Sequence, residues 1–359
     1  MVLADGAVFE GRSFGAHGGV AGEVVFCTGM VGYPESLTDP SYAGQLLCCT
    51  YPMIGNYGVP PMEREGGSAV GSGDDLPITF ESDRIHASAL IVNDYSEHHS
   101  HWHAQRSLAQ WLADEGVPGI QGIDTRSLTM RLREHGSMLG RIEIDGAENP
   151  RGFEDPNVRN LVAEVSVAER TTYGSGDRRV ALIDCGCKGN ILRSLVGRGV
   201  EVVRLPWGDD LQGLQIDGLM VSNGPGDPSL VDAAAATIKS ALDRDVPTFG
   251  VCMGNQLLAR AIGAKTFKLK YGHRGQNQPV VECGTNRCFV TSQNHGYAVD
   301  TTTLPSDWRP WFENLNDGTN EGVRHSWKPF RSVQFHPEAC PGPTDTAYLF
   351  DEFVRMIHQ

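Results

Sequence analysis

The chain has 359 residues, enough for two domains at roughly 150 residues each. With 21% charged and 40% hydrophobic residues it has the composition of a globular protein, which excludes global disorder. The 44 acidic residues outnumber 30 basic ones, and a net charge of −14 repels phosphate backbones, so nucleic acid is not expected as a partner.

The first 150 or so residues are rich in glycine and in short β-type runs, among them GEVVFCT at 22–28 and ASALIV at 87–92. GGSAVGSGDDLP at 66–77 reads as a surface loop. A helix is predicted over 104–115, with Leu108, Trp111 and Leu112 on one face, and another over 127–134, capped by Asp124 or Thr125. SVAERTTYGSGDR at 166–178 loses apolar periodicity and marks a linker, taken as 151–178, between domains at 1–150 and 179–359. Strand and helix then alternate. Strands are predicted at 179–184, 200–205, 217–222 and 247–251; helices at 189–197, from Asp227-Pro228 to about Leu242, and at 254–262. That alternation predicts a parallel sheet with helices on both faces. Antiparallel strands are expected in 279–292 and 322–335, and a closing helix over 344–358 buries Leu349, Phe350, Phe353 and Ile357.

No apolar run approaches the ~20 residues that span a bilayer, so no membrane association is expected. The opening MVLADGAVFEGRSFG lacks the charged and apolar regions of a signal peptide. Nine cysteines, an odd number, then read as reduced thiols in the cytoplasm, and the lack of a C-x-x-C pair argues against a zinc ribbon. No metal site is expected. His98, His99, His101 and His103 read as a solvated loop, Cys48-Cys49 and Cys185-Gly186-Cys187 as core packing, and Lys188 and Lys268 to Lys270 as surface charge.

Three segments carry chemistry. In Gly250-Val251-Cys252-Met253-Gly254-Asn255-Gln256 an apolar strand runs into a helix with a cysteine between two glycines, the thiol version of a nucleophile elbow. The side chain there meets exposed N–H groups and the positive end of a helix dipole, which favour a thiolate. In Gln334-Phe335-His336-Pro337-Glu338 an extended run would project His336 and Glu338 to one side, so the carboxylate orients the imidazole. Ser222 to Pro228 (SNGPGDP) is a glycine loop able to aim N–H groups at a developing oxyanion. Together they point to acyl transfer through a thioester on an α/β sheet.

These three segments resemble the motifs of class I (triad-type) glutamine amidotransferases, over residues 179–359. TSQNHGYAV at 291–299, with TGMVGYPESLTDPSYAGQ at 28–45, YPMIGNYG at 51–58 and GIQGIDTR at 119–126, resembles the small chains of carbamoyl-phosphate synthases and extends the likeness over almost the whole chain. Gly189, Met253, Tyr297 and the long 60–77 loop depart from the usual pattern without touching the triad. The resemblance implies an α/β chain: a class I glutamine amidotransferase domain with a mostly parallel open sheet, plus a β-rich α+β N-terminal domain that contacts the partner. It implies hydrolysis of glutamine to glutamate and ammonia, with ammonia passing through an internal channel to a separate large chain. That partner would use ATP, with Mg or Mn, and bicarbonate to make carbamoyl phosphate for arginine and pyrimidine synthesis; no cofactor is implied in the present chain. By motif match Cys252 is the nucleophile, His336 the acid/base and Glu338 its orienting partner. Gly226 and Met253 would supply oxyanion N–H groups, and Ser41, Gly224, Gly226, Met253, Gln256, Asn294, Gly296 and Tyr297 would hold glutamine. Ser41 lies in the other domain, so the resemblance places the substrate at the domain interface.

Overall fold

The structure, a computed structural model, describes residues 1–64 and 76–359; the loop expected at 66–77 lies outside these as far as residue 75. Two compact units are present, one formed by Met1–Glu63 with Pro77–Val158, the other carried by Arg159–Gln359.

Seven described strands build the sheet of the first unit, in the order Val2–Leu3, Met138–Ile142, Val20–Cys27, Gln45–Cys49, Ala89–Ile91, Pro118–Gln121, Arg12–Gly15. The four strands from Val20–Cys27 to Pro118–Gln121 run parallel, and the outer ones are antiparallel. This parallel centre is a finer feature than the β-rich α+β expectation. Parallel strands need cover on both faces, and Val20–Cys27 is buried at every position after the first. Helix Leu108–Asp114 starts at Ser107, whose hydroxyl accepts from Gln110 N at 3.1 Å, and turns Leu108, Trp111 and Leu112 into the core beside Val25, Leu47 and Leu90. Asp124 caps helix Thr125–His135 through Ser127 N at 2.9 Å.

The second unit holds a ten-stranded sheet among the described residues. Its parallel core runs Glu201–Pro206, Arg179–Asp184, Gly218–Val221, Thr248–Val251, Phe330–Val333, and antiparallel strands extend it beyond. Period-2 alternation sorts the core residues. Val180, Leu182, Met220 and Phe249 face helices Gly189–Val196 and Tyr348–Ile357, while Ala181, Ile183, Leu219 and Val221 face helices Asp232–Asp243 and Met253–Ala261.

Two expectations need correction. Much of the linker belongs to the second unit: Leu161–Val165 is helical, and Thr171–Tyr173 is an edge strand pairing antiparallel with Glu201–Pro206. A three-residue strand is too short to display a period, and its hydrogen bonds come from a distant partner. The helix predicted from Asp227-Pro228 is two elements. Asp227 accepts from Ser229 N at 2.8 Å to close a short 3₁₀ turn, Pro228–Leu230, and the α-helix starts afresh at Asp232.

Candidate active site

Parallel neighbours end on the same edge of a sheet, and in open α/β sheets the carboxyl ends of the strands are where ligands bind. Arg179–Asp184 leads there to Lys188, Gly218–Val221 to the 222–228 loop, Thr248–Val251 to Cys252, and Phe330–Val333 to His336. Residues far apart in sequence are thereby assembled side by side.

Cys252 forms the elbow. Its backbone adopts φ 54°, ψ −101°, a conformation that costs a non-glycine residue about 1–3 kcal/mol and that its surroundings impose. Its N–H donates to Val333 O at 2.8 Å, and Gly254 N donates to Ser222 O at 3.0 Å, tying the helix start to both neighbouring strand ends. The flanking glycines are required by space. A Cβ at Gly250 would sit 2.5 Å from Gly254 O, and one at Gly254 would sit 2.3 Å from Val221 O. The sulfur is buried, 3.6 Å from Asn294 O and 3.7 Å from Gln334 Nε2.

His336 is joined to the strand Cys288–Asp300 by its N–H, which donates to Ser292 O at 2.9 Å. Its Nδ1 lies 2.6 Å from Glu338 Oε1. The two meet through a turn rather than an extended run: Ala339 N donates to His336 O at 3.1 Å, with Pro337 at the position that favours proline. Both side chains are buried. Burial disfavours the imidazolium, yet the Glu338 carboxylate and then the Cys252 sulfur outweigh it and lift His336 to about 10. For Glu338 burial again opposes ionisation, but the Lys188 ammonium and then His336 hold the carboxyl down at about 2. Among the described residues no acceptor meets His336 Nε2 in hydrogen-bonding geometry.

Lys188 is the residue that sequence reasoning misplaced. It is buried, 3% exposed rather than on the surface, with Nζ 3.2 Å from Glu338 Oε1 and bonded to Ala339 O. Its backbone N donates to Asn223 Oδ1 at 3.0 Å. No local pattern marked it, because it stands four residues past the end of strand Arg179–Asp184 and its carboxylate comes from far along the chain. Gln334 was also missed as a neighbour of the sulfur, although it precedes the histidine by two residues.

Of the residues expected to hold glutamine, Gly224, Gly226, Met253, Gln256, Asn294, Gly296 and Tyr297 belong to the second unit. Met253 opens the helix after the elbow, where N–H groups lack intrahelical acceptors. Gln256 lies one turn on, but its amide is engaged by protein, donating to Tyr297 O at 3.0 Å and Gln334 Oε1 at 3.2 Å. Ser41 is in the first unit, on the 3₁₀ turn Pro40–Tyr42, its N–H donating to Asp39 Oδ1 at 2.9 Å. The 98–103 histidines lie on a loop, with Trp102 88% exposed. Cys48, Cys49 and Cys185 are buried thiols whose pKa burial pushes up. No helix among the described residues is long and apolar enough to cross a membrane.

The class-I glutamine amidotransferase family matches residues 181–356, and the carbamoyl-phosphate synthase small chain, CPSase domain, matches residues 1–142. The multifunctional protein CAD of Squalus acanthias is 51% identical over 359 residues, covering 99% of this chain and 16% of that protein. The chain spans no more than 21% of the length of such multifunctional relatives. The arginine-specific carbamoyl phosphate synthase small chain of Aspergillus oryzae is 47% identical over 367 residues, covering 100% of this chain and 80% of the relative. That of Neosartorya fischeri is 48% identical over 365 residues, covering 99% and 79%. With both of its units matched and the likeness running nearly end to end, the chain belongs to the carbamoyl-phosphate synthase small-chain family and carries a class-I glutamine amidotransferase domain.

Proposed function

We propose that the chain hydrolyses the side-chain amide of glutamine and delivers the ammonia to a large ATP-using chain that makes carbamoyl phosphate. The observation that carries this reading is the cysteine on a strained elbow, beside a buried imidazole that a carboxylate orients. Attack on an amide carbon needs a sulfur anion, and the imidazolium is the complementary charge beside it. Cys252 adds to the carbonyl, and the N–H groups of Met253 and Gly226 stabilise the oxyanion. His336 then gives its proton to the departing nitrogen, leaving ammonia and a thioester; water activated by the same ring releases glutamate and restores the thiol. Glu338 and Lys188 hold the ring in orientation throughout. Gly224, Gln256, Asn294, Gly296 and Tyr297 complete the glutamine site in this reading.

The small-chain relatives are named arginine-specific small chains of carbamoyl phosphate synthase, which supports a large-chain partner; in this reading that partner uses ATP with Mg or Mn and serves arginine synthesis. Supply to pyrimidine synthesis and a place in the cytoplasm belong to the same proposal. The test is Cys252→Ala. Glutamine-dependent carbamoyl phosphate formation by the assembled enzyme should fall at least about a thousandfold, with ammonia-dependent formation retained. Normal glutamine turnover by that variant would remove Cys252 from its role.

A further inference from the structure

Away from the triad, but within the same unit, three buried side chains converge: His273, His295 and Glu321. Glu321 is fully buried. Its Oε1 lies 3.3 Å from His273 Nδ1 and 3.7 Å from His295 Nε2, and accepts from Asn314 Nδ2 at 3.1 Å. The two rings meet edge to face at 4.9 Å. His273 has a carboxylate at each nitrogen, because Asp317 Oδ2 lies 2.9 Å from Nε2. Two acceptors of that kind ask for both ring protons, and although burial opposes the cation, Glu321 and Asp317 raise the affinity of His273 for it. His295 is fixed differently. Its Nδ1 is 2.9 Å from Tyr297 O, and a carbonyl only accepts, so the proton sits on Nδ1.

The chain of contacts continues to the nucleophile. Tyr297 O also takes the Gln256 amide at 3.0 Å; Gln256 donates to Gln334 Oε1 at 3.2 Å, and Gln334 Nε2 faces the Cys252 sulfur at 3.7 Å. We infer that Glu321 is a positioning residue for glutamine binding: held by Asn314, it orients the His273 ring, whose edge-to-face contact at 4.9 Å seats the His295 ring, and His295 in turn fixes the Tyr297 carbonyl and the 294–297 segment. The inference rests on the assignment of that segment to glutamine. A metal ion is the alternative occupant of such a His, His, Glu group. This positioning route is favoured because both nitrogens of His273 and Glu321 Oε1 already have protein partners.

The experiment compares wild type, Glu321→Ala and Glu321→Gln in the 359-residue chain. It measures glutamine kcat and KM, thermal melting, bound metal, and the imidazole ¹⁵N resonances. Glu321→Ala should raise KM about tenfold or more while kcat changes less than about threefold. Glu321→Gln, whose amide can still meet His273, should recover most of the KM. An unchanged KM in folded Glu321→Ala, a fall in its kcat as large as the rise in KM, or a stoichiometric metal that the alanine variant lacks would each overturn the inference. If Glu321→Ala does not fold, the resonances decide: His295 should report an Nδ1-bound proton that shifts in Glu321→Gln, and indifference to that change rejects the link. A wild type that turns over no glutamine would defeat the proposed function, whereas the resonances would still judge the network.

Discussion

At the scale of single residues the site depends on a buried row of alternating charge, from Lys188 to Glu338 to His336. Removing one member of a buried pair leaves the other uncompensated, which costs about 3–5 kcal/mol. Lys188→Met should therefore lower stability by that order in urea titrations at neutral pH. The sign with pH follows from the direction of the shift. Glu338 is held down at about 2, so the stability it lends is complete above the ordinary carboxylate range near 4.5 and is lost as pH falls toward 2. The deficit of Lys188→Met should accordingly shrink as the medium is acidified below 4.5. His336 is raised to about 10, so its share is complete below 6.5 and disappears as pH climbs through 10. A deficit that stays constant between pH 7 and pH 3 would place the ammonium outside the pair. Cys252, His336 and Glu338 stood out in the sequence because each sits in a tight local pattern. Lys188 carried no such pattern, since its partner arrives from the far end of the chain and charge alone reads as surface.

Among elements, the join between strand Thr248–Val251 and helix Met253–Ala261 is the tightest constraint on the site. Gly254→Ala would press a methyl group to within 2.3 Å of Val221 O, a backbone atom that cannot rotate away. Overpacking of this kind costs about 1–3 kcal/mol, and the same substitution should lower turnover because the elbow rides on that contact. Gly208, exposed and with nothing within 4 Å of an added Cβ, is the matched control, and Gly208→Ala should stay within about 0.5 kcal/mol in the same titration. Equal effects at the two positions would mean that the close approach is not what the glycine serves. Most elements of the second unit were legible because buried parallel strands and amphipathic helices carry strong periods. The turn after His336 was not, because Pro337 fits an extended run and a turn equally well, and only the Ala339 to His336 hydrogen bond distinguishes them. Strand Thr171–Tyr173 escaped for want of length.

Over the whole molecule, 44 acidic side chains against 30 basic ones leave an excess that the surface ion pairs do not cancel. At ~0.01 M salt such charges repel across a Debye length of about 30 Å, falling to about 8 Å at 0.15 M. Moving between those conditions should raise the melting temperature by about 2–4 °C, the shift that ~1 kcal/mol produces in a chain of this class. A flat profile in a salt series would show that repulsion does not act on the folded state. The division into two units was legible from the change in pattern, but its position was not. The boundary falls between Val158 and Arg159, where compactness rather than composition marks it.

The pairing of Thr248–Val251 with Phe330–Val333 sets a condition on when the chemistry can begin. During synthesis Cys252 leaves the ribosome well before His336, and the strands that carry them pair only when the late one has slotted in beside the early one. A nascent or truncated chain thus carries Cys252 without His336 beside it, and under the proposed function turnover doubles as a readout that the sheet has been finished.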